Sequence, residues 1–152
     1  MSRFVLSRGE LARALLAGLA VGVLTALVMV PANLTGVAPM PEPPSLKFAE
    51  TVLGTDLPKP VGVAFHLVYT IAWTVIFVAL FKDAPTLGRA MGLALALWVV
   101  VLVVFFPING WGIAGLVVGP QMIVGALVPH LLFGVVLWAA CRVAFGGGVA
   151  RA

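Results

Sequence analysis

The sequence predicts an all-α fold: a polytopic membrane protein of four transmembrane helices, built as two tandem hairpin repeats with both termini in the cytoplasm. Three observations predict it. Apolar residues make up 62% of the 152-residue chain and charged residues only 9%, against about 25% charged in soluble domains. The apolar residues fall in long unbroken runs, not in the alternating ten-residue strands of a membrane barrel. The basic residues sit beside the ends of those runs, where they set orientation. Mean hydropathy is +1.20. A surface that faces water cannot be assembled from this composition. In lipid every backbone N–H and C=O must be paired within the segment, which a helix does. The chain forms one transmembrane domain, and its formal charge of +4 reads as an orientation signal, not as a nucleic-acid footprint.

The first span is predicted at 11–30, closed by Pro31. Arg3, Arg8 and Arg13 precede it as in a signal peptide. The apolar stretch is too long for one and no clean small-residue cleavage site follows, so the helix is expected to be retained. The external loop 31–60 carries seven prolines, which break regular structure. Within it a short helix is expected at 45–53, ended by Gly54, with Leu46, Ala49 and Leu53 on one face against the membrane surface. Asn33-Leu34-Thr35 fits the glycosylation triplet, a pattern that arises often by chance.

The second span is predicted at 61–81, followed by the tight turn Lys82-Asp83-Ala84-Pro85-Thr86. The third is predicted at 87–106, with Pro107 at its exit. The linker 107–120 is uncharged and Gly-rich, with Trp111 suited to the interface, and is expected to fold back against the membrane. The fourth span is predicted at 121–145, with Pro129 inside it, Arg142 snorkelling near its end, and a Gly-rich tail from 146 to 148. Seven of the nine basic residues (Arg3, Arg8, Arg13, Lys82, Arg89, Arg142 and Arg151) fall on the side of the termini and the short turn, against Lys47 and Lys59 on the other. That asymmetry places both termini inside. The single Cys141 has no disulfide partner and reads as a small packing residue.

The chain also resembles itself. Residues 13–33 align without a gap on 89–109, each beginning Arg-Ala and ending Pro-x-Asn. His66-Leu67-Val68-Tyr69 then aligns with His130-Leu131-Leu132-Phe133, and Phe81 and Phe145 each follow their histidine by fifteen residues. Two hairpins entering from the same side would be related by an axis along the membrane normal, and the two histidines would sit at similar depth.

Trp98, Pro107-Ile108-Asn109-Gly110-Trp111-Gly112 and His130-Leu131-Leu132-Phe133-Gly134 form a pattern. An apolar helix ends in Pro-x-x-Gly-x-Gly, and a helix carrying His-x-x-aromatic-Gly follows. This resembles the small four-helix bacterial inner-membrane proteins of the YagU-like type. The resemblance implies an inner-membrane address and brings no catalytic residue with it.

Ionisable groups inside a membrane are costly and often functional, which singles out His66 and His130. One reading makes them axial ligands of a b-type haem held across the bundle. Gly62, Gly125 and Gly134 would leave room for the macrocycle, and Tyr69, Phe133, Trp73 and Trp138 would pack its faces and edges. The competing reading makes each imidazole a hydrogen-bonding tie between helices. A non-haem metal site lacks a nearby carboxylate or thiol, and a proton relay lacks a carboxylate within any span. No nucleophile–base pair, phosphate loop or zinc signature is present, so enzyme activity by this chain alone is not expected. The functional expectation is an accessory subunit of a larger respiratory or photosynthetic electron-transfer complex, with lipid and other membrane subunits as partners. The alternative is a small stand-alone transporter or channel-like protein without cofactor.

Overall fold

A computed structural model describes residues 5–146; Arg3, Arg151 and the glycines at 147 and 148 lie outside the described residues. It is all-α, and four helices are long and apolar enough to cross a membrane: Arg8–Leu34, Lys59–Phe81, Leu87–Ile108 and Gln121–Phe145. In chain order the elements are α1 (Arg8–Leu34), α2 (Pro44–Leu53), α3 (Lys59–Phe81), α4 (Leu87–Val100), a π-helical segment (Val101–Phe105), α5 (Phe106–Ile108), a short 3₁₀ turn (Ile113–Gly115) and α6 (Gln121–Phe145).

Local chemistry sets the helix ends. Ser7 and Glu10 form a capping box at the start of α1: the Ser7 hydroxyl accepts from Glu10 N–H at 3.3 Å, and the Glu10 carboxylate accepts from Ser7 N–H at 2.8 Å. Thr86 caps α4 by accepting from Arg89 N–H. Gly54 ends α2 in the left-handed conformation at φ 69°.

Two prolines act differently from expectation. Pro31 does not close α1, which runs through it to Leu34. A proline near a helix end removes one N–H, and side chains take up nearby carbonyls: Asn33 Nδ2 donates to Met29 O and Thr35 Oγ1 to Pro31 O. At 27 residues and 1.5 Å per residue, α1 is about 40 Å long, more than the ~30 Å hydrocarbon core requires. Before Pro107 the helix widens into the π segment, where Phe106 N–H reaches back to Val101 O. The inserted residue sends two consecutive rings to different neighbours. Phe105 meets Phe48 (centroids 4.8 Å apart) and Tyr69 (5.9 Å), whereas Phe106 packs on Trp111 at 5.3 Å.

Helices α1 and α6 are the inner pair. They pack on each other, α1 also carries α3 and α6 carries α4, while α3 and α4 scarcely touch. At one end the Lys82 ammonium donates to Glu10 at 2.8 Å and Arg13 donates to Ala144 O at 3.2 Å. The start of α1 therefore meets the ends of α3 and α6; this is the arginine-rich end. At the opposite, proline-rich end, α2 lies on α3, and Asn109 Nδ2 donates to Pro44 O at 3.2 Å. Lys47 pairs there with Glu42 at 3.3 Å, and that carboxylate holds its ammonium above the ordinary lysine range. One core, with Ala14, Val21, Phe77, Ala94, Leu97, Leu137 and Cys141, runs from the arginine-rich end toward the middle of the bundle. A second, of Leu102, Phe106, Trp111, Met122 and Ala126, lies toward the proline-rich end and takes Met40 from the first loop.

Candidate functional site

The polar interior concentrates between α1 and α3, and glycine spacing explains why. Gly18 and Gly22 stand four apart on one face of α1. A Cβ at Gly18 would lie 2.7 Å from Ile71 Cα, and one at Gly22 would collide with the Thr70 hydroxyl and with Leu67 Cδ2 at 2.8 Å. Small residues at this interval let two membrane helices approach backbone to backbone. The close approach brings three threonines and His66 into one seam. Thr25, Thr70 and Thr74 are each 2% exposed or less.

His66 sits in this seam, its Nε2 3.0 Å from Thr25 Oγ1 and 3.3 Å from Gly22 O. A carbonyl only accepts, so Nε2 carries the proton of the neutral ring. Thr25 in turn donates to Val21 O at 2.8 Å, which leaves its lone pairs free to accept from the imidazole. His66 is therefore a tie from α3 to α1. His130 behaves otherwise. Its Nδ1 lies 2.7 Å from Ala126 O on its own helix, so Nδ1 carries the proton and Nε2 the lone pair. The two imidazoles adopt opposite tautomers and share no partner.

The aromatic candidates do come together, Tyr69, Trp73 and Trp138 packing against the apolar core that holds Phe133, but neither histidine is part of that core. Tyr69 faces Trp73 and Phe105. Phe133 is buried in that core. Gly134 faces α4, where a Cβ would meet Met91 Sδ at 2.6 Å and Ala94 Cβ at 3.0 Å. The other two glycines expected to make room are filled as well: Gly62 by Leu46, with Leu46 Cβ at 2.7 Å, and Gly125 by Pro39, with Cδ at 2.9 Å. His66, His130, Tyr69, Phe133 and Gly134 thus do not fit a macrocycle held across the bundle. Haem would need the space that Leu46, Pro39 and Met91 occupy. Purified protein is expected to be colourless; a reduced-minus-oxidised difference spectrum with a Soret band lost in His66→Ala and His130→Ala would overturn this.

Sequence reasoning missed three features of this interior. The Gly18-x-x-x-Gly22 interval was legible as a close-packing motif. Thr25 is the lone hydroxyl between Arg13 and Pro31, but nothing in one dimension aims it at His66. Asn109 follows α5 and ties it to the proline-rich loop, whereas Asn33, its counterpart in the repeat, lies inside α1.

No protein-family model, no curated protein and no solved structure matches this chain.

Proposed function

We propose that the chain is a small accessory subunit of a larger bacterial inner-membrane complex, contributing helix-packing surface and no reaction centre of its own. One observation carries this reading. Gly18, Gly22, Gly62, Gly125 and Gly134 are each filled from a neighbouring segment, whereas Gly88 and Gly92 on α4 have nothing within 4 Å of a Cβ position. Both are exposed, and Ala96 extends the four-residue interval along the same exposed face. A glycine inside a helix costs roughly 0.5–1 kcal/mol relative to alanine. At those five glycines close packing offsets that cost, and of the uncovered ones Gly9 lies in the first turn of α1; on α4 a helix from another chain would offset it. The transporter reading draws less support. Thr25, Thr70 and Thr74 turn their hydroxyls to carbonyls of their own helices, at 2.8, 3.0 and 2.7 Å, where a transport path would want them free.

The proposal includes the layout. Arg8, Arg13, Lys82, Arg89 and Arg142 share the arginine-rich end with Glu10 and Asp83, while Lys47 and Lys59 share the other with Glu42, Glu50 and Asp56. This supports both termini inside. The two hairpins as repeats draw support from a reciprocal exchange. Arg13 of the first covers the ring of Phe145 in the second at 5.0 Å, and Arg89 of the second covers Phe81 of the first at 5.2 Å. Equivalent positions are also buried alike: Ala14 with Ala90, Gly18 with Ala94, Val21 with Leu97, and Thr70 with Gly134. The same alignment sets Val101 where α1 has Thr25, in keeping with His130 bonding its own helix.

Co-purification from native membranes in a mild detergent tests the function. The chain is expected to elute within an assembly larger than itself, and Gly92→Ile is expected to release it while leaving its helical content unchanged. A chain that migrates alone in both forms would remove the accessory reading.

A further inference from the structure

We infer that the connection between α5 and α6, residues 109–120, is a membrane anchor that seats the proline-rich end of the bundle at the boundary between lipid headgroups and acyl chains. The loop is inside out for a segment facing water. Its large aromatic residue, Trp111, is 6% exposed and packs on Phe106, whereas Ile113, Leu116 and Val117 are 69, 58 and 76% exposed. No Asp, Glu, Lys or Arg occurs anywhere between Arg89 and Arg142, so the loop and the helices it joins bring no charge of their own to these side chains. The opposite connection at the same end, between α2 and α3, carries Asp56 and then Lys59.

Backbone bonding gives an independent reason. Irregular chain enters a low-dielectric environment only when its polar groups are internally paired. The N–H groups of Asn109, Gly110 and Trp111 donate to Phe105 O, Pro107 O and Phe106 O. Those of Gly115, Leu116, Val117, Val118 and Gly119 donate to carbonyls between Trp111 and Gly115. The loop coils on itself, with Gly112 and Gly115 at φ 72° and 73° making the turns. It spends eight of its backbone N–H groups internally, those of Gly112, Ile113 and Ala114 being the exceptions, and offers aliphatic side chains outward.

Lipid is the occupant these observations select. The exposed side chains continue directly into the outward-facing aliphatic residues of the flanking helices, Ile108 at 42% and Val124 at 62% exposed. They therefore extend the surface that already faces acyl chains. Interfacial segments of this kind bury their apolar face about 5–10 Å into the headgroup and acyl boundary.

Depth measurement on the full chain tests the inference. Val117→Cys and Ile113→Cys are each made in a Cys141→Ala background, labelled with an environment-sensitive fluorophore and reconstituted into phosphatidylglycerol–phosphatidylcholine vesicles. Thr55→Cys on the charged connection serves as the water-facing reference. Brominated acyl chains are expected to quench both loop positions at least three-fold more than the reference, and aqueous iodide to quench them at least three-fold less. Equal iodide quenching at all three positions would overturn the inference. So would protection of the loop positions from both quenchers, which would place a protein on the loop instead of lipid.

Discussion

Gly18→Leu is expected to separate α1 from α3 and to destabilise the folded bundle by about 2–3 kcal/mol, near the upper end of overpacking costs. The reason is the identity of the atom it strikes. A Cβ at Gly18 would lie 2.7 Å from the Cα of Ile71 and 3.2 Å from Thr74 Cβ. Backbone cannot rotate away, so trimming Ile71 to alanine is expected not to rescue the variant. Gly22→Ala provides the contrast. There the obstructing atoms are the Thr70 hydroxyl and Leu67 Cδ2, both side-chain, and Leu67→Ala should restore part of the loss. Detergent-titrated unfolding followed by circular dichroism reads both outcomes. An unchanged midpoint for Gly18→Leu would mean that the close seam, and with it the His66–Thr25 tie, is absent.

Phe106→Ala is expected to loosen the proline-rich end while leaving the arginine-rich end intact. Phe106 is fully buried, its ring lies against Trp111, and a Cβ at Gly115 would lie 3.1 Å from its Cδ2. In water such a truncation costs 3–5 kcal/mol, combining lost transfer free energy with a cavity. In a bilayer the separated helices remain in lipid, so the transfer part largely falls away and about 2 kcal/mol of packing loss remains. Because Phe106 supports the loop through Trp111, the loss should be local. Amide exchange at Gly115 to Gly119 is expected to accelerate more than ten-fold, with exchange near Ala90 and Leu137 unchanged. Uniform acceleration along the chain would show that the two apolar cores melt as one.

The long helices were legible because lipid imposes a one-dimensional rule. A segment of roughly 20 apolar residues satisfies its backbone and its side chains by itself, and this chain contains four. Their ends were less legible. Pro31 reads as a stop, yet Asn33 and Thr35 bond carbonyls in the last turn and the helix continues. Pro107 reads as an exit, but the helix accommodates it through a π segment, which changes where Phe105 and Phe106 point. The expected haem site illustrates the other limit. His66 and His130 look equivalent along the chain, and the glycines near them look like free space. Whether a glycine is a vacancy or a contact depends on what stands opposite it, and Leu46, Pro39 and Met91 come from other segments.

The sequence by itself determined that the chain is all-α, that four stretches are apolar and long enough to span a bilayer, and that charge gathers at their ends. Each of these follows from the free energy of single segments in lipid, which is local and additive along the chain. Tertiary structure alone decided that α1 and α6 form the inner pair, that His66 bonds Thr25 while His130 bonds its own helix, and that the glycines of α4 stay uncovered. In a bilayer apolar burial does not distinguish one helix neighbour from another, since lipid is as apolar as leucine. Pairing is then decided by close contact and hydrogen bonds between residues far apart in the chain, and no single segment contains that information.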